Sequence, residues 1–193
     1  MTFNFNNSKN VFLRKKDKSN KGSFDEKIVN LINKINSKDN YFTTSSCSGR
    51  IVLIIDEEKK MPGLFLFRSH KKISLSQLKK EINKILTKKV NNKIIYFKQE
   101  PCILVVSCRN KEKQWQLFNK AKNNGWKKSG ILSLDKKFLI ELMSTENISF
   151  PICNMGRTLV NDKFLKIVIK KTNYNLERGW EKIKRLEKLI DEI

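Results

Sequence analysis

The chain has 193 residues, with 41 Lys and Arg against 19 Asp and Glu, a formal net charge of +22 and 39% hydrophobic residues. No apolar run is long enough to span a bilayer, and Phe3, Phe5 and Phe12 sit among Asn, Lys and Arg where a signal peptide would be apolar, so the expectation is a soluble cytoplasmic protein with no membrane partner. A charge this large attracts polyanions, nucleic acid above all, unless a lysine-rich proteome inflates every surface alike.

Residues 1–22 read as an irregular basic arm, with Lys9, Arg14, Lys15, Lys16, Lys18 and Lys21 against the single acid Asp17. Ser23 and Glu26 form a Ser-x-x-Glu capping box. Ile28, Leu31, Ile32 and Ile35 then recur at i, i+3, i+4, i+7, which predicts a helix ending at Asn36-Ser37. Strands at about 41–44 and 50–56 flank Thr43-Thr44-Ser45-Ser46-Cys47-Ser48-Gly49-Arg50, which reads as a tight polar loop. Pro62-Gly63 turns the chain into a buried strand, Leu64-Phe65-Leu66-Phe67, that delivers Arg68-Ser69-His70. A second helix opens near Ser74, with Gln77 as box partner and Leu78, Ile82, Ile85 and Leu86 as its stripe. Strands at about 93–99 and 102–108 are broken by Glu100-Pro101. A third helix covers about 111–124 with Leu117, Phe118 and Ala121 inward, capped by Gly125 and the contact of Trp126. Strands at about 128–133 and 137–143 precede a loop holding Pro151 and Gly156. Asn161 or Asp162 caps a helix with Phe164, Leu165, Val168 and Ile169 on its stripe, and Leu176 to Ile193 forms a last helix.

Strands and helices alternate without strict β-α-β order. That predicts an α+β fold: the basic arm over 1–22, then a single domain over 23–193 whose mixed, strongly curved β-sheet is flanked by helices. None of the seven glycines makes G-x-G-x-x-G after a strand, so the fold is non-Rossmann.

The Ser/Cys loop gathers three serine hydroxyls, a thiol, backbone N–H groups beside Gly49 and the Arg50 guanidinium. Those groups suit an anionic or strongly polar ligand, although a Ser- and Gly-rich hairpin turn would look the same. His70 is the one histidine. Its ordinary pKa of about 6.5 suits a general base at neutral pH. Cys47 could pair with it as a nucleophile, or be a small buried hydrophobe. Cys47, Cys102, Cys108 and Cys153 have no CxxC spacing, so no metal is expected. Six residues of strand would separate Cys102 from Cys108 by roughly 20 Å, too far for a disulfide. Trp115, Trp126 and Trp180 are residues that could stack on bases.

These residues carry a resemblance. Thr43 to Arg50 is similar to the Ser-x-Ser-Ser-Cys-x-Gly-Arg signature of the wybutosine-synthesising protein 3 family. Asp17-Lys18-Ser19-Asn20-Lys21-Gly22-Ser23-Phe24-Asp25 looks like that family's Asp-x-Ser-x-Lys-Gly-x-x-Asp motif, and Arg68-Ser69-His70 looks like its His-bearing strand end. Glu100-Pro101, Gly125, Ser129-Gly130-Ile131 and the C-terminal helices follow in the family's order. Thr43 replaces the first serine of the signature, and Val105 and Met143 stand where the family pattern leads one to look for His and Arg.

The resemblance implies S-adenosylmethionine-dependent methylation, without a metal, of N4 in the tricyclic 7-aminocarboxypropyl-demethylwyosine base next to the anticodon of tRNA(Phe). Such a displacement depends on holding nitrogen, methyl and sulfur in line. Asp17, Asp25 and His70 are the candidate bases for the ring N–H. Arg50 and Lys21 are candidates for phosphate or carboxylate, and Ser45 and Ser46 for polar edges of donor or base. Ser19, Cys47, Ser48, Gly49, Ser129 and Gly130 complete the expected binding set. Two other classes fit the residues: a non-catalytic basic RNA-binding protein, separated by donor binding, and a Cys47–His70 hydrolase, separated by selective labelling of Cys47.

Overall fold

The computed structural model describes residues 4–14, 24–59, 61–87, 93–135 and 137–193. Asp17, Ser19, Lys21 and the capping Ser23 lie outside the described residues. The chain divides into two compact units woven from separate stretches. Met1–Ser48, Pro101–Thr145 and Gly179–Ile193 make the first, and Gly49–Glu100 and Glu146–Arg178 the second.

The α+β expectation holds. The expected mixed sheet is instead two sheets, and among the described residues every strand pairing is antiparallel. The first unit has a four-stranded sheet in the order β1 (Tyr41–Cys47), β5 (Ile103–Cys108), β7 (Phe138–Met143), β6 (Gly130–Ser133). The second has five strands in the order β3 (Phe65–Ser69), β2 (Arg50–Ile55), β4 (Ile95–Glu100), β8 (Ile148–Asn154), β9 (Arg157–Thr158).

In the first unit the hydrophobic stripe of α2 (Val29–Ser37) has its core side chains Leu31, Ile32 and Ile35 fully buried, with Ile28 just before it. They join Leu104, Val106, Ile140 and Leu142 of the sheet, and Leu117, Phe118 and Ala121 of α4 (Lys111–Asn123), in one core. Each such Leu, Ile, Val or Phe side chain contributes roughly 1.5–3 kcal/mol on burial. Asn110 caps α4 by accepting from Lys113 N at 2.9 Å. Trp126 N donates back to Ala121 O at 3.2 Å across Gly125, whose φ is 100°: the expected C-cap, formed where only glycine is at ease.

Four expectations are corrected. Residues 5–14 are not irregular but form helix α1 (Phe5–Arg14), capped by Asn4 accepting from Asn7 N at 3.0 Å. Phe5 and Phe12, two turns apart, both meet Phe42 of β1, with ring centroids at 5.3 and 5.4 Å. The Ser/Cys stretch is not a hairpin loop, because β1 runs on through Cys47 and pairs with β5, while β2 pairs with β3 and β4. Pro151 lies in a strand rather than a loop. It stands opposite Tyr96 where the β4–β8 register shifts, a bulge that tolerates its missing donor. The two C-terminal helices are one, α5 (Asp162–Leu189), capped by Asn161 and closed by a short 3₁₀ turn. Among the described residues no helix is long and apolar enough to cross a membrane.

In the second unit one face of the sheet is apolar. Ile51, Leu53 and Phe97 are fully buried, Phe97 stacks on Phe150 at 5.2 Å, and Phe150 meets Phe164 of α5 edge-on at 5.2 Å. Helix α3 (Leu75–Thr87) is capped by Ser74, whose hydroxyl accepts from Gln77 N at 3.1 Å, and Lys79 of α3 pairs with Asp162 of α5 at 2.7 Å.

Candidate active site

In the first unit the site residues are organised by Ser48, which follows β1 and has no exposed surface. Its N–H and its hydroxyl both donate to Asp25 Oδ2, at 3.0 and 3.1 Å. Its carbonyl accepts from Trp180 Nε1 at 3.1 Å and from the Cys102 thiol at 3.0 Å. Asp25 also anchors the start of α2, its carbonyl accepting from Ile28 and Val29 N. Asp25 is therefore brought to the end of the signature, where its carboxylate holds Ser48. Trp180 is a brace for that residue, with Lys27 Nζ 5.2 Å from its ring centroid.

The antiparallel register decides what faces what. Directly opposed residues share a face, and the pairings place Ser45, Val105, Glu141 and Gly130 in one row across all four strands. The next row on that face is Cys47, Ile103 and Met143. Ser45 is exposed, while Cys47, Val105, Glu141, Met143 and Gly130 are half-buried. A Cβ at Gly130 would meet no atom within 4 Å. Two of the departures from the family pattern thus lie in these rows, Val105 next to Ser45 and Met143 across Ile103 from Cys47. The row also adds Glu141, a carboxylate that no motif pointed to; only the strand register brings it there.

A register shift at Thr44 turns Ser46 to the opposite face, in the Leu104 row. Thr43 N and Oγ1 are taken up by Asn36 Oδ1 at 2.8 and 3.2 Å. Ser129 is buried and engaged with backbone: its hydroxyl donates to Trp126 O at 2.5 Å and accepts from Met143 N at 3.1 Å. Trp126 is fully buried, as a cap contact should be, and Trp115 packs edge-on to Phe118 at 5.6 Å.

The second unit holds Gly49, Arg50 and His70. Gly49 has φ of 88°, a conformation that a side chain would strain. Arg50 opens β2 opposite Glu100, the last residue of β4, and its Nε donates to Glu100 Oε2. Arg50 Cζ also lies 5.1 Å from the Phe65 ring centroid. His70 follows Ser69, the partner of Ile51, and so lies at the Arg50 end of the sheet. The Glu100 counter-charge escaped the sequence reading because the two residues are fifty apart in the chain.

The chain matches the family described as Methyltransferase TYW3 over residues 7–192. It is 35% identical over 195 residues, 96% of this chain and 96% of the relative, to a Thermococcus sibiricus protein named tRNA(Phe) 7-((3-amino-3-carboxypropyl)-4-demethylwyosine(37)-N(4))-methyltransferase. The Danio rerio tRNA wybutosine-synthesizing protein 3 homolog is 33% identical over 192 residues, 96% of this chain and 74% of that one. Among solved structures, that of the PH1069 protein from Pyrococcus horikoshii superposes with a TM-score of 0.86 at 34% identity, covering 98% of this chain and 95% of that one.

Proposed function

The chain belongs to the Methyltransferase TYW3 family, and from that premise we propose how it works on its substrate. It is a tRNA methyltransferase of wybutosine biosynthesis, acting on N4 of the 7-(3-amino-3-carboxypropyl)-4-demethylwyosine base of tRNA(Phe). The observation that carries this reading is the extent of the likeness, which runs through residues 7–192 and includes the Thr43–Arg50 signature. The methyl donor is S-adenosylmethionine, whose sulfonium supplies an electrophilic methyl. A tRNA substrate accords with the +22 charge and with a cytoplasmic location. Residues 23–193 act as one catalytic domain, with the basic residues of 1–22 adding to the attraction for RNA.

The residue roles follow from the chemical groups that each unit presents. Ser45 and Cys47, on the partly open face of the first sheet, offer a hydroxyl and a thiol to polar edges of donor or base; Glu141 in the same row offers a carboxylate. Arg50 takes an anionic group, with Glu100 fixing the fork of its guanidinium. Asp17, Asp25 and His70 remain the candidates for accepting the ring proton, with Lys21 a further candidate for anions and Ser19 and Gly49 in the binding set. The displacement needs no protein nucleophile, so Cys47 is not consumed.

The experiment is methyl transfer from labelled S-adenosylmethionine to tRNA(Phe) bearing the demethylated tricyclic base, with unmodified tRNA as control. Transfer to the first alone is expected. Donor binding without transfer to either RNA would overturn the reading.

A further inference from the structure

On one face of the second sheet the active-site reading uses only the end row, Arg50 and Glu100, and leaves the next two rows unassigned. Its register puts Val52, Arg68 and Lys98 in one row and Ile54, Phe65 and Tyr96 in the next, on the side opposite the buried Leu53 and Phe97. Arg68 is exposed and Phe65 keeps 39% of its surface, a large ring left in water at a strand position. The cations lie over the rings: Arg68 Cζ is 4.4 Å and Arg50 Cζ 5.1 Å from the Phe65 centroid, and Lys98 Nζ is 5.2 Å from that of Tyr96.

We propose that this face docks single-stranded RNA, with bases stacking on Phe65 and Tyr96 and phosphates held by Arg68 and Lys98. The inference rests on the tRNA reading above and names which part of the RNA this surface takes. Val52, between Arg68 and Lys98, is fully buried, and above it the aromatic rings and cations alternate, matching the two repeating parts of a single strand, a flat base and a phosphate. A duplex keeps its bases stacked inside and offers the rings nothing. An acidic peptide would satisfy the cations but leave the rings bare.

The test measures affinity of the full chain for a labelled RNA stem-loop and for a blunt RNA duplex across a salt series. Phe65→Leu should weaken stem-loop binding by about five- to tenfold, the scale of one lost base stack, and leave the duplex unchanged. Arg68→Ala with Lys98→Ala should lower the log–log salt slope for the loop by roughly 1.4, about 0.7 per phosphate contact on a single strand. All are compared at matched folded fraction from thermal melts. Ultraviolet crosslinking of the wild type provides a readout that needs no variant, with crosslinked peptides expected from β3 and β4. Unchanged loop affinity in every variant, crosslinks confined to the first unit, or equal competition by polyglutamate would overturn the proposal. Methyl transfer by the wild type separates the two readings. If it methylates the tricyclic base while the variants bind loop RNA normally, only this face has been misread. If it methylates nothing, the functional reading fails on its own.

Discussion

Ser48 has its N–H, hydroxyl and carbonyl all engaged inside the first unit, by Asp25, Trp180 and the Cys102 thiol. Asp25→Ala leaves two buried donors without an acceptor, which costs about 1–3 kcal/mol each at most, read as a lowered urea midpoint. Asp25→Asn keeps an acceptor and should hold the fold within about 1 kcal/mol of wild type. Methyl transfer then tells its role: an Asn variant that folds but transfers at background rate marks Asp25 as the base, and one that transfers normally leaves it as the clamp of Ser48. Arg50→Lys addresses the other unit. The Arg50–Glu100 pair is partly exposed, so the swap should move the melting temperature little. Loss of the planar fork should cut transfer efficiency about tenfold, roughly 1.4 kcal/mol of a charge-assisted contact. A variant that melts several degrees lower yet turns over normally would make Arg50 a brace for Glu100. The residue types of both clusters were legible, because Ser, Cys and Arg in a short stretch, and a lone His at a strand end, announce polar chemistry. Their partners Glu100 and Glu141 were not, since strand register is a long-range choice that no local pattern encodes.

At the scale of elements, α5 depends on one small residue. A Cβ on Gly179 would come within 2.8 Å of Cys102 Sγ, so the helix approaches the first unit's β4–β5 connection more closely than any other residue allows. Gly179→Ala should destabilise by about 1–3 kcal/mol of overpacking, despite the gain in helix propensity. Pairing it with Cys102→Ala should recover part of the loss, and a double-mutant cycle by urea melts measures the coupling. Full additivity would mean that the backbone shifts at no cost. Helices α2, α3 and α4 could be read from the sequence because their apolar stripes recur at helical spacing, with Ser74 and Gly125 as legible caps; α2 starts later than its expected capping box, at Val29, with no side-chain cap at Ile28. Strand β8 could not: Pro151 argues against a strand, and it is admitted only because the register slips beside it. Helix α5 was divided in two because Lys170-Lys171-Thr172-Asn173 interrupts the stripe. Those polar groups are nonetheless used in the helix, with Asn173 bonding both N–H and C=O of Ile73 at 3.1 and 2.9 Å.

For the molecule as a whole, the response to alkali is set, among the described residues, by three acids that burial raises and by Lys9, which burial lowers and which acts in the opposite sense. Burial pushes the Cys108 thiol up to about 12, and also raises Cys153. Tyr41 is raised by burial first and then by the neighbouring Cys108 and Glu112. Each holds its proton longer folded than unfolded. Their stabilising contribution is therefore complete below the unfolded values, 9.0 for the thiols and 10.0 for the tyrosine, and is lost as pH climbs from there toward the folded ones. Urea midpoints should fall steadily from about pH 9 upward, and Cys108→Ala should flatten the first part of that decline. The charge of +22 sets a second property of the whole: tRNA binding should weaken steeply with salt, and a flat series would return the lysines to proteome bias.

The chain passes from one unit to the other four times, after Ser48, Glu100, Thr145 and Arg178. Biosynthesis has to reckon with that itinerary. Proteins emerge from the ribosome N-terminus first, at about 5–20 residues per second, and contiguous domains can close as they appear. Here neither unit is contiguous. The second lacks its α5 segment until Arg178 has been made, and the first waits for Ile183, Leu186 and Ile190 to fill its core. A nascent chain therefore carries two open, apolar sheets for almost its whole length. A gene ended at Arg178 should yield a product caught by holding chaperones, while adding the codons for Gly179–Ile193 lets the first unit close its core.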